Sequence, residues 1–527
     1  MGPHIQLAVR LDWDWMAGCI IYRGKKIISH NSICGIFYSK NMGGHKMAFN
    51  DSDVKQITEH GLTVAQIEQQ LHDFETGFPF ADIVRPATIN DGIFEFDDAT
   101  KTNFINTYDN ARDNFQITKF VPASGAATRM FKDLFDFLNT GNMNDTVDAV
   151  VNNISRFAFY QDLQKFLPTN PNPHDIVAAM LDTDKLNLGA LPKALIKFHK
   201  YENDARTAAQ EHLTEGVQYA TTHNTVNIHF TISPEHSEKF NELMARILPT
   251  TENKFNVKFN ISTSIQDPGT DTIAVNFDNT PFRDDNGKLV FRPAGHGALI
   301  QNLNKIDSDI IFIKNIDNIT NDNARNDTIV YKKLLGGVLI DIQKQIFEFI
   351  RELNNGTVDT NALREFITTK LHCQIPNGNT STNEFIEILN RPVRVCGVVK
   401  NTGAPGGGPF WVRDAKGCET LQITESSQIA PENRDIMTKS THFNPVDLVC
   451  GVRDWRGQKF DLTKFIDHTT GFISEKSLNG RPLRAMESPG LWNGAMANWI
   501  TIFVSVPNTT FTPVKRVSDL LDPTHSN

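Results

Sequence analysis

This chain lacks the residues that organise small secreted or zinc-built proteins. Its six cysteines (Cys19, Cys34, Cys373, Cys396, Cys418, Cys450) are scattered, and no two stand as Cys-x-x-Cys. That spacing argues against a zinc site or a disulfide framework and makes a reducing cytosol the expected compartment. No apolar run reaches the ~18 residues of a membrane span. No Gly-x-Ser-x-Gly elbow and no His-Glu-x-x-His occurs, which counts against serine hydrolases and zinc peptidases. No Gly-Lys-Ser/Thr ends a glycine-rich loop, so there is no P-loop. A basic surplus is missing too. The net charge is −9 and the pI about 6.0, so the chain as a whole is no nucleic-acid binder.

What is present is ordinary globular material. Of 527 residues, 39% are hydrophobic and 21% charged, enough to bury a large core without staples. Length alone predicts about three domains. Residues 1–46, with Trp13 and Trp15, show neither amphipathic periodicity nor a signal-peptide pattern. Met47 precedes Ala-Phe-Asn-Asp-Ser-Asp, a good helix start, so 1–46 is expected to be a start-site artefact or loose extension. The other expected regions are 47–115, mainly helical; 116–327, an α/β core; 328–391, a helical insertion; and 392–527, a mixed region that could complete the sheet.

Asp51 to Gly77 reads as two amphipathic helices broken at Gly61. Gln116-Ile-Thr-Lys-Phe-Val121 reads as strand, Pro122-Ala-Ser-Gly-Ala-Ala-Thr-Arg129 as a small-residue turn, and 130–138 as helix. Strand, small loop and helix in that order open an α/β phosphate-binding unit. Strands at 227–232, 256–265, 272–277 and 309–315 alternate with helices at 234–248, capped by Ser233, and at 295–303. This alternation predicts a doubly wound, mainly parallel sheet.

Five clusters carry candidate chemistry. In the first, Ser124, Gly125, Ala126 and Thr128 would let backbone N–H groups approach a phosphate, and Arg129 adds a planar cation. A tight packing turn is the alternative. In the second, Leu191-Pro-Lys193 places a cation before an apolar run; if that run is a strand, Lys193 and Lys197 share a face. Solvated lysines are the alternative. In the third, Gly295-His296-Gly297 opens a helix, as an anion cradle or as a packing histidine. In the fourth, Asp317 ends the apolar strand 309–315, where ligands gather in open sheets; there it could hold Mg²⁺ against phosphates or close a turn. The fifth is the glycine run 403–411 with Glu425, His442 and Asn444.

The order of these pieces resembles the sugar-1-phosphate nucleotidyltransferases, especially the UDP-sugar pyrophosphorylase branch. The loop ending Thr128-Arg129 comes first, then Pro192-Lys193, the helix at Arg206, Gln266, Gly295-His-Gly297 and Asn315-Ile-Asp317-Asn. The resemblance implies a nucleotidyltransferase-like (GT-A/Rossmann-like) fold. It also implies a Mg²⁺-dependent reaction of a nucleoside triphosphate with a sugar 1-phosphate that releases pyrophosphate. Arg129 and Lys193 would be catalytic. Ser124, Gly125, Ala126, Thr128, Gln266, Gly295 and His296 would bind nucleotide; Glu425, His442 and Asn444 would bind substrate; and Asp317 would bind Mg²⁺. Two of three loop glycines are replaced, and Ala127 would be strained if the loop needed a positive φ there. That departure keeps a non-catalytic nucleotide or nucleotide-sugar binder, or another phosphosugar transferase, open as alternatives. From Met47 onward the chain is similar to a bacterial family known only as domain of unknown function 4301. The matching phrases include Gly77-Phe-Pro-Phe80, Val121 to Met130, Phe291 to Leu299, Gly406 to Trp411, His442 to Asp447 and Gly490 to Met496.

Overall fold

The computed structural model describes residues 49–375, 379–403, 406–414 and 417–526. The expectation for 1–46 lies outside the described residues, as do Ala404 and Pro405 of the glycine run. The chain divides into a unit of residues 1–54 and a unit of 55–527. Of the first unit, Asp51 opens the helix Asp51–Glu59. The second holds everything that follows.

A ten-stranded sheet forms its centre. Seven strands set the topology: β1 (Ile117–Pro122), β2 (Thr225–Thr231), β3 (Lys258–Ser264), β4 (Ile310–Lys314), β5 (Val393–Lys400), β6 (His442–Gly451) and β7 (Ile500–Ser505). Their spatial order is 3-2-1-4-6-5-7. The β3–β2, β2–β1, β1–β4 and β5–β7 pairings are parallel, and β6 runs antiparallel to β4 and β5. Strands from 392–505 therefore lie in the same sheet as strands from 117–314.

Strands β1, β4 and β6 are buried almost along their whole length because helices and loops cover both faces, whereas β3 is largely exposed. On β1, Ile117 and Val121 join one core cluster while Phe120 joins the cluster on the opposite face. Beneath the first face pack α1 (Lys132–Thr140), α2 (Ala208–Tyr219), α3 (Ser237–Phe255) and α4 (Asn326–Asn355). Gly336 and Gly337 of α4 meet Tyr108 and the Phe104 backbone of the helix Asp98–Ala111 so closely that a Cβ would not fit.

The strand expected over 272–277 is only Thr272–Ile273, paired antiparallel with Phe291–Arg292 in a separate two-stranded sheet. Three further local expectations change. Ser233 makes no capping bond, and its hydroxyl is buried without a partner. A 3₁₀ turn, Pro234–His236, comes first, and α3 starts at Ser237. The second change is at the helix expected over 295–303: it begins as a 3₁₀ turn, Gly295–Ala298. Third, Lys193 and Lys197 do not share one strand face. Lys193 sits in a 3₁₀ turn, Lys193–Leu195, before the strand Lys197–Lys200 begins, and Lys197 bonds Asp162 at 2.6 Å.

Candidate functional site

Chain order reverses between β1 and β4, so the loops leaving their C-terminal ends flank the reversal point. In open α/β sheets that reversal point is where ligands bind. The loop after β1 carries Ser124 to Arg129; the loop after β4 carries Asp317.

The β1 loop is held by its backbone. Ala123 N donates to Thr231 O at 3.1 Å and Ala127 N to Leu191 O at 3.0 Å. No residue of 123–129 has a positive φ, and Ala126 sits at φ −64. Ala127 is fully buried in a 3₁₀ turn, Ala127–Arg129. The strain expected at Ala127 is absent, because the loop turns through a helical conformation that alanine favours. Thr128 bonds Gly189 O at 3.3 Å. Arg129 is exposed and pairs with no carboxylate among the described residues.

Lys193 arrives on the turn bridged to this loop through Ala126 and Pro192. Its Nζ donates to Asp317 Oδ2 at 2.8 Å and to Val514 O at 2.7 Å. Lys515 donates to the same Oδ2 at 3.0 Å. Burial opposes ionisation of Asp317, but the two ammonium groups outweigh it and hold the carboxyl below its usual range. Oδ1 keeps no bond among the described residues. A single carboxylate with one free oxygen suits a Mg²⁺ that takes its other ligands from phosphates and water. Among the described residues no group of three or more His, Cys, Asp or Glu could hold a metal by itself.

Gln266, just past β3, ties two loops together. Its Nε2 lies 3.4 Å from both Ser124 Oγ and Gly295 O. His296, exposed, follows Gly295, its ring centroid 4.3 Å from that of Trp492. Its packing, with Lys515 and Arg129 nearby, pushes the imidazole down to about 4, so it is neutral at physiological pH. Trp492 Nε1 donates to Glu425 Oε1 at 3.2 Å. Burial and the neighbouring Glu487 raise the Glu425 carboxyl. Glu487 also faces Gly295, which takes φ +60.

The other two candidates lie on β6, whose antiparallel course brings its N-terminal end to this same edge. His442 is buried; Nδ1 meets Thr441 Oγ1 at 2.8 Å and Nε2 has no partner. Asn444 Oδ1 accepts from Val446 N at 3.2 Å and closes a turn that leaves Val446 at φ +60. A β-branched residue is strained there.

Thus Ser124, Gln266 and Gly295 meet, as do Lys193 and Asp317, with Arg129 and His296 beside them. Glu425 connects through Trp492; no bond joins His442 or Asn444 to that cluster. Sequence reasoning missed Lys515, Trp492 and Glu487. Pro513-Val-Lys515 places a cation shortly after a proline, as Pro192-Lys193 does, and that likeness was the available signal.

Beneath the site lies a second charged layer. Lys119 of β1 and Lys314 of β4 bond Glu215 of α2 at 3.0 and 2.8 Å, and Lys332 of α4 pairs with Asp447 of β6. All five are buried. Burial pushes Lys119 down to about 7 against the pull of Glu215. His212 Nε2 donates to Ile316 O at 3.2 Å and props the residue before Asp317. A cavity of about 860 Å³, lined by Arg85, His372 and Trp411 among others, shares none of the site's residues.

Fold and site together define a mainly parallel α/β protein with lysine and arginine side chains gathered at its reversal point. The chain belongs to the family described as "Domain of unknown function (DUF4301)", which matches residues 50–526. No curated protein matches it. Among solved structures, the uridine diphosphate N-acetylglucosamine pyrophosphorylase from Trypanosoma brucei is similar at TM-score 0.48 and 11% identity, covering 95% of this chain and 83% of its own. The UDP-glucose pyrophosphorylase from Leishmania major is similar at TM-score 0.43 and 14% identity, covering 89% and 77%. Among the described residues no helix is long and apolar enough to cross a membrane.

Proposed function

We propose that this protein joins a nucleoside triphosphate to a sugar 1-phosphate and releases pyrophosphate. The observation that carries the reading is the meeting of Lys193 and Lys515 on Asp317 at the reversal point, with Arg129 close to the neighbouring His296 and the backbone of Gly125 and Ala126 exposed beside them. An oxygen of the sugar phosphate attacks the α-phosphorus; the bond to the bridging oxygen breaks, and pyrophosphate leaves with that electron pair. The nucleophile is already anionic at neutral pH, so no general base is needed. The protein's task is to hold two anions in line and neutralise their charge.

In this reading the exposed Arg129 and the backbone of 124–126 take the triphosphate. Lys193 takes charge on the phosphates in the transition state. Gln266 and Gly295 edge the base pocket, and neutral His296 on Trp492 offers it an aromatic face. Glu425, His442 and Asn444 face the sugar side. Mg²⁺ at Asp317 Oδ1 would supply Lewis-acid charge on phosphate oxygens.

Pyrophosphate release is the test: protein with Mg²⁺, each common nucleoside triphosphate and a panel of sugar 1-phosphates. Release that needs one base and one sugar is expected. Full activity of R129A would overturn the assignment. One observation favours a second reading, a binder of the same ligands: the free charge of Lys193 and Lys515 is already spent on Asp317. Thermal stabilisation by nucleotide-sugar without turnover would select it.

A further inference from the structure

Residues 512–526 cross the site and are pinned beyond it. Thr512 N donates to Asn318 Oδ1 at 3.0 Å, Val514 N to Asp317 O at 2.9 Å and Val517 N to Met130 O at 3.0 Å. The segment is thus bonded to the loops leaving both β4 and β1, and between these bonds it delivers Lys515. That side chain is 60% exposed. Holding so flexible a cation in one place costs rotamer entropy, and only an anchored backbone limits the search.

The anchor is built from groups the proposed reaction does not use. Thr524 O accepts from Asn321 N at 3.0 Å and from Thr320 Oγ1 at 2.8 Å. His525, 3% exposed, places Nδ1 2.9 Å from His199 Nε2, and the rings stack at 5.2 Å. His199 Nδ1 in turn lies 2.9 Å from Glu211 Oε1. Glu211 is fully buried. It also accepts from the Tyr201 hydroxyl at 2.7 Å and from Arg325 at 2.6 Å. Arg206 and Asp322 complete the surround, Arg206 reaching Asp322 at 3.0 Å. Buried polar groups of this kind are costly unless paired. Here the carboxylate, the first imidazole and the second form a row whose last member belongs to the crossing segment.

We infer that His199, Glu211 and His525 are positioning residues, a latch that holds segment 512–526 across the site so that Lys515 stands at the Asp317 carboxylate. Glu211 belongs to α2, and the neighbouring His212 props Ile316 from the same helix. One helix therefore sets both the Asp317 loop and the strap that meets it. The role given to Lys515 rests on the nucleotidyl-transfer reading; the latch itself does not.

Two readouts on the full-length protein separate these. The first is limited trypsinolysis at Lys515 and Arg516. H525A is expected to speed cleavage there at least about tenfold, because local opening governs proteolysis. In H525N the side-chain amide stands near the lost Nδ1 and can pair with His199 Nε2 as donor or acceptor, so cleavage returns toward wild type. Equal cleavage in all three proteins overturns the latch. The second is a double-mutant cycle on Mg²⁺–pyrophosphate affinity. H525A alone is expected to weaken binding about tenfold, but less than about twofold in a K515A background, because both changes remove one interaction. Equal losses in both backgrounds make His525 merely structural and overturn the inference. No pyrophosphate binding by wild type, with H525A still opening the strap, upholds the latch and overturns the proposed function.

Discussion

Lys193 and Asp317 stand 124 positions apart in the chain and meet at 2.8 Å, Lys193 on a 3₁₀ turn bridged to the β1 loop and Asp317 on the loop leaving β4. The Ala126–Pro192 bridge ties the Lys193 turn to the loop after β1, and β1 and β4 are hydrogen-bonded neighbours. The pair therefore exists because of strand order. It prepays part of the cost of desolvating a lysine and a carboxylate, and a phosphate entering the site would find the cation already in place.

Removing that cation tests the centre of the site directly. K193M should lower pyrophosphate release on the order of 10²–10³-fold, the usual loss when one charge-stabilising donor goes. D317N should leave the fold intact, because the amide still accepts from both lysines, while release falls and loses its response to Mg²⁺. Chelation by EDTA should silence wild type in the same assay. Undiminished release in the presence of EDTA would remove Asp317 as a metal ligand.

The β1 loop offers a cleaner separation of fold from function. A Cβ at Gly125 would meet nothing within 4 Å, and its φ is not positive. G125A should change stability by no more than about 0.5 kcal/mol. If phosphates lie against this backbone, the added methyl should nonetheless weaken triphosphate binding about tenfold. Melting curves and a nucleotide titration read the two effects; unchanged affinity would move the ligand off the loop.

Stability should fall in mild acid. Burial pushes His229 down to about 4, His525 down to about 3 and His212 well below its ordinary value. Each is neutral in the fold, while the unfolded chain takes up protons once pH drops below about 6.5. Their contribution is complete above that pH and is lost progressively toward pH 4. For His229, wedged between Ser262 at 2.8 Å and Ser264 at 2.7 Å, the loss by pH 4 is on the order of 3 kcal/mol. Denaturant midpoints measured from pH 7 to 4 should show this slope, and H229Q should flatten it. A flat profile in wild type would contradict the assignment.

Trp492 links the nucleotide side to the sugar side, and W492F isolates one bond. The ring would still pack on His296, but Glu425 would lose its indole donor, a change of about 1 kcal/mol. That donor favours the ionised carboxyl, so its loss should raise an already raised Glu425 further. The acid limb of the KM profile should move to higher pH, with kcat nearly unchanged. A profile identical to wild type would take Glu425 out of substrate binding.

Much of the fold was legible because its central strands are largely apolar and buried. Residues 117–121 and 310–314 bury nearly every side chain, and such runs announce parallel strands covered on both faces. Element ends were less legible. The 3₁₀ turn at Pro234–His236 displaced the cap expected at Ser233, because proline opens a tight turn as readily as a helix. At the site, Lys193 and Asp317 could be named singly from a proline neighbour and a strand end. Lys515 follows a proline much as Lys193 does, but nothing in Pro513-Val-Lys-Arg516 says where the segment lies.

Taken alone, the sequence determined the alternation of strands and helices, the small-residue loop and the buried runs. These depend on local conformational preference and on which side chains leave water. Tertiary structure decided the order 3-2-1-4-6-5-7, the antiparallel course of β6 and the return of residues 512–526 over Asp317. It also decided that His525 would meet His199 across 326 positions. Those outcomes depend on contacts between residues far apart in the chain, and no local pattern encodes which distant partner completes a buried ion pair or hydrogen bond.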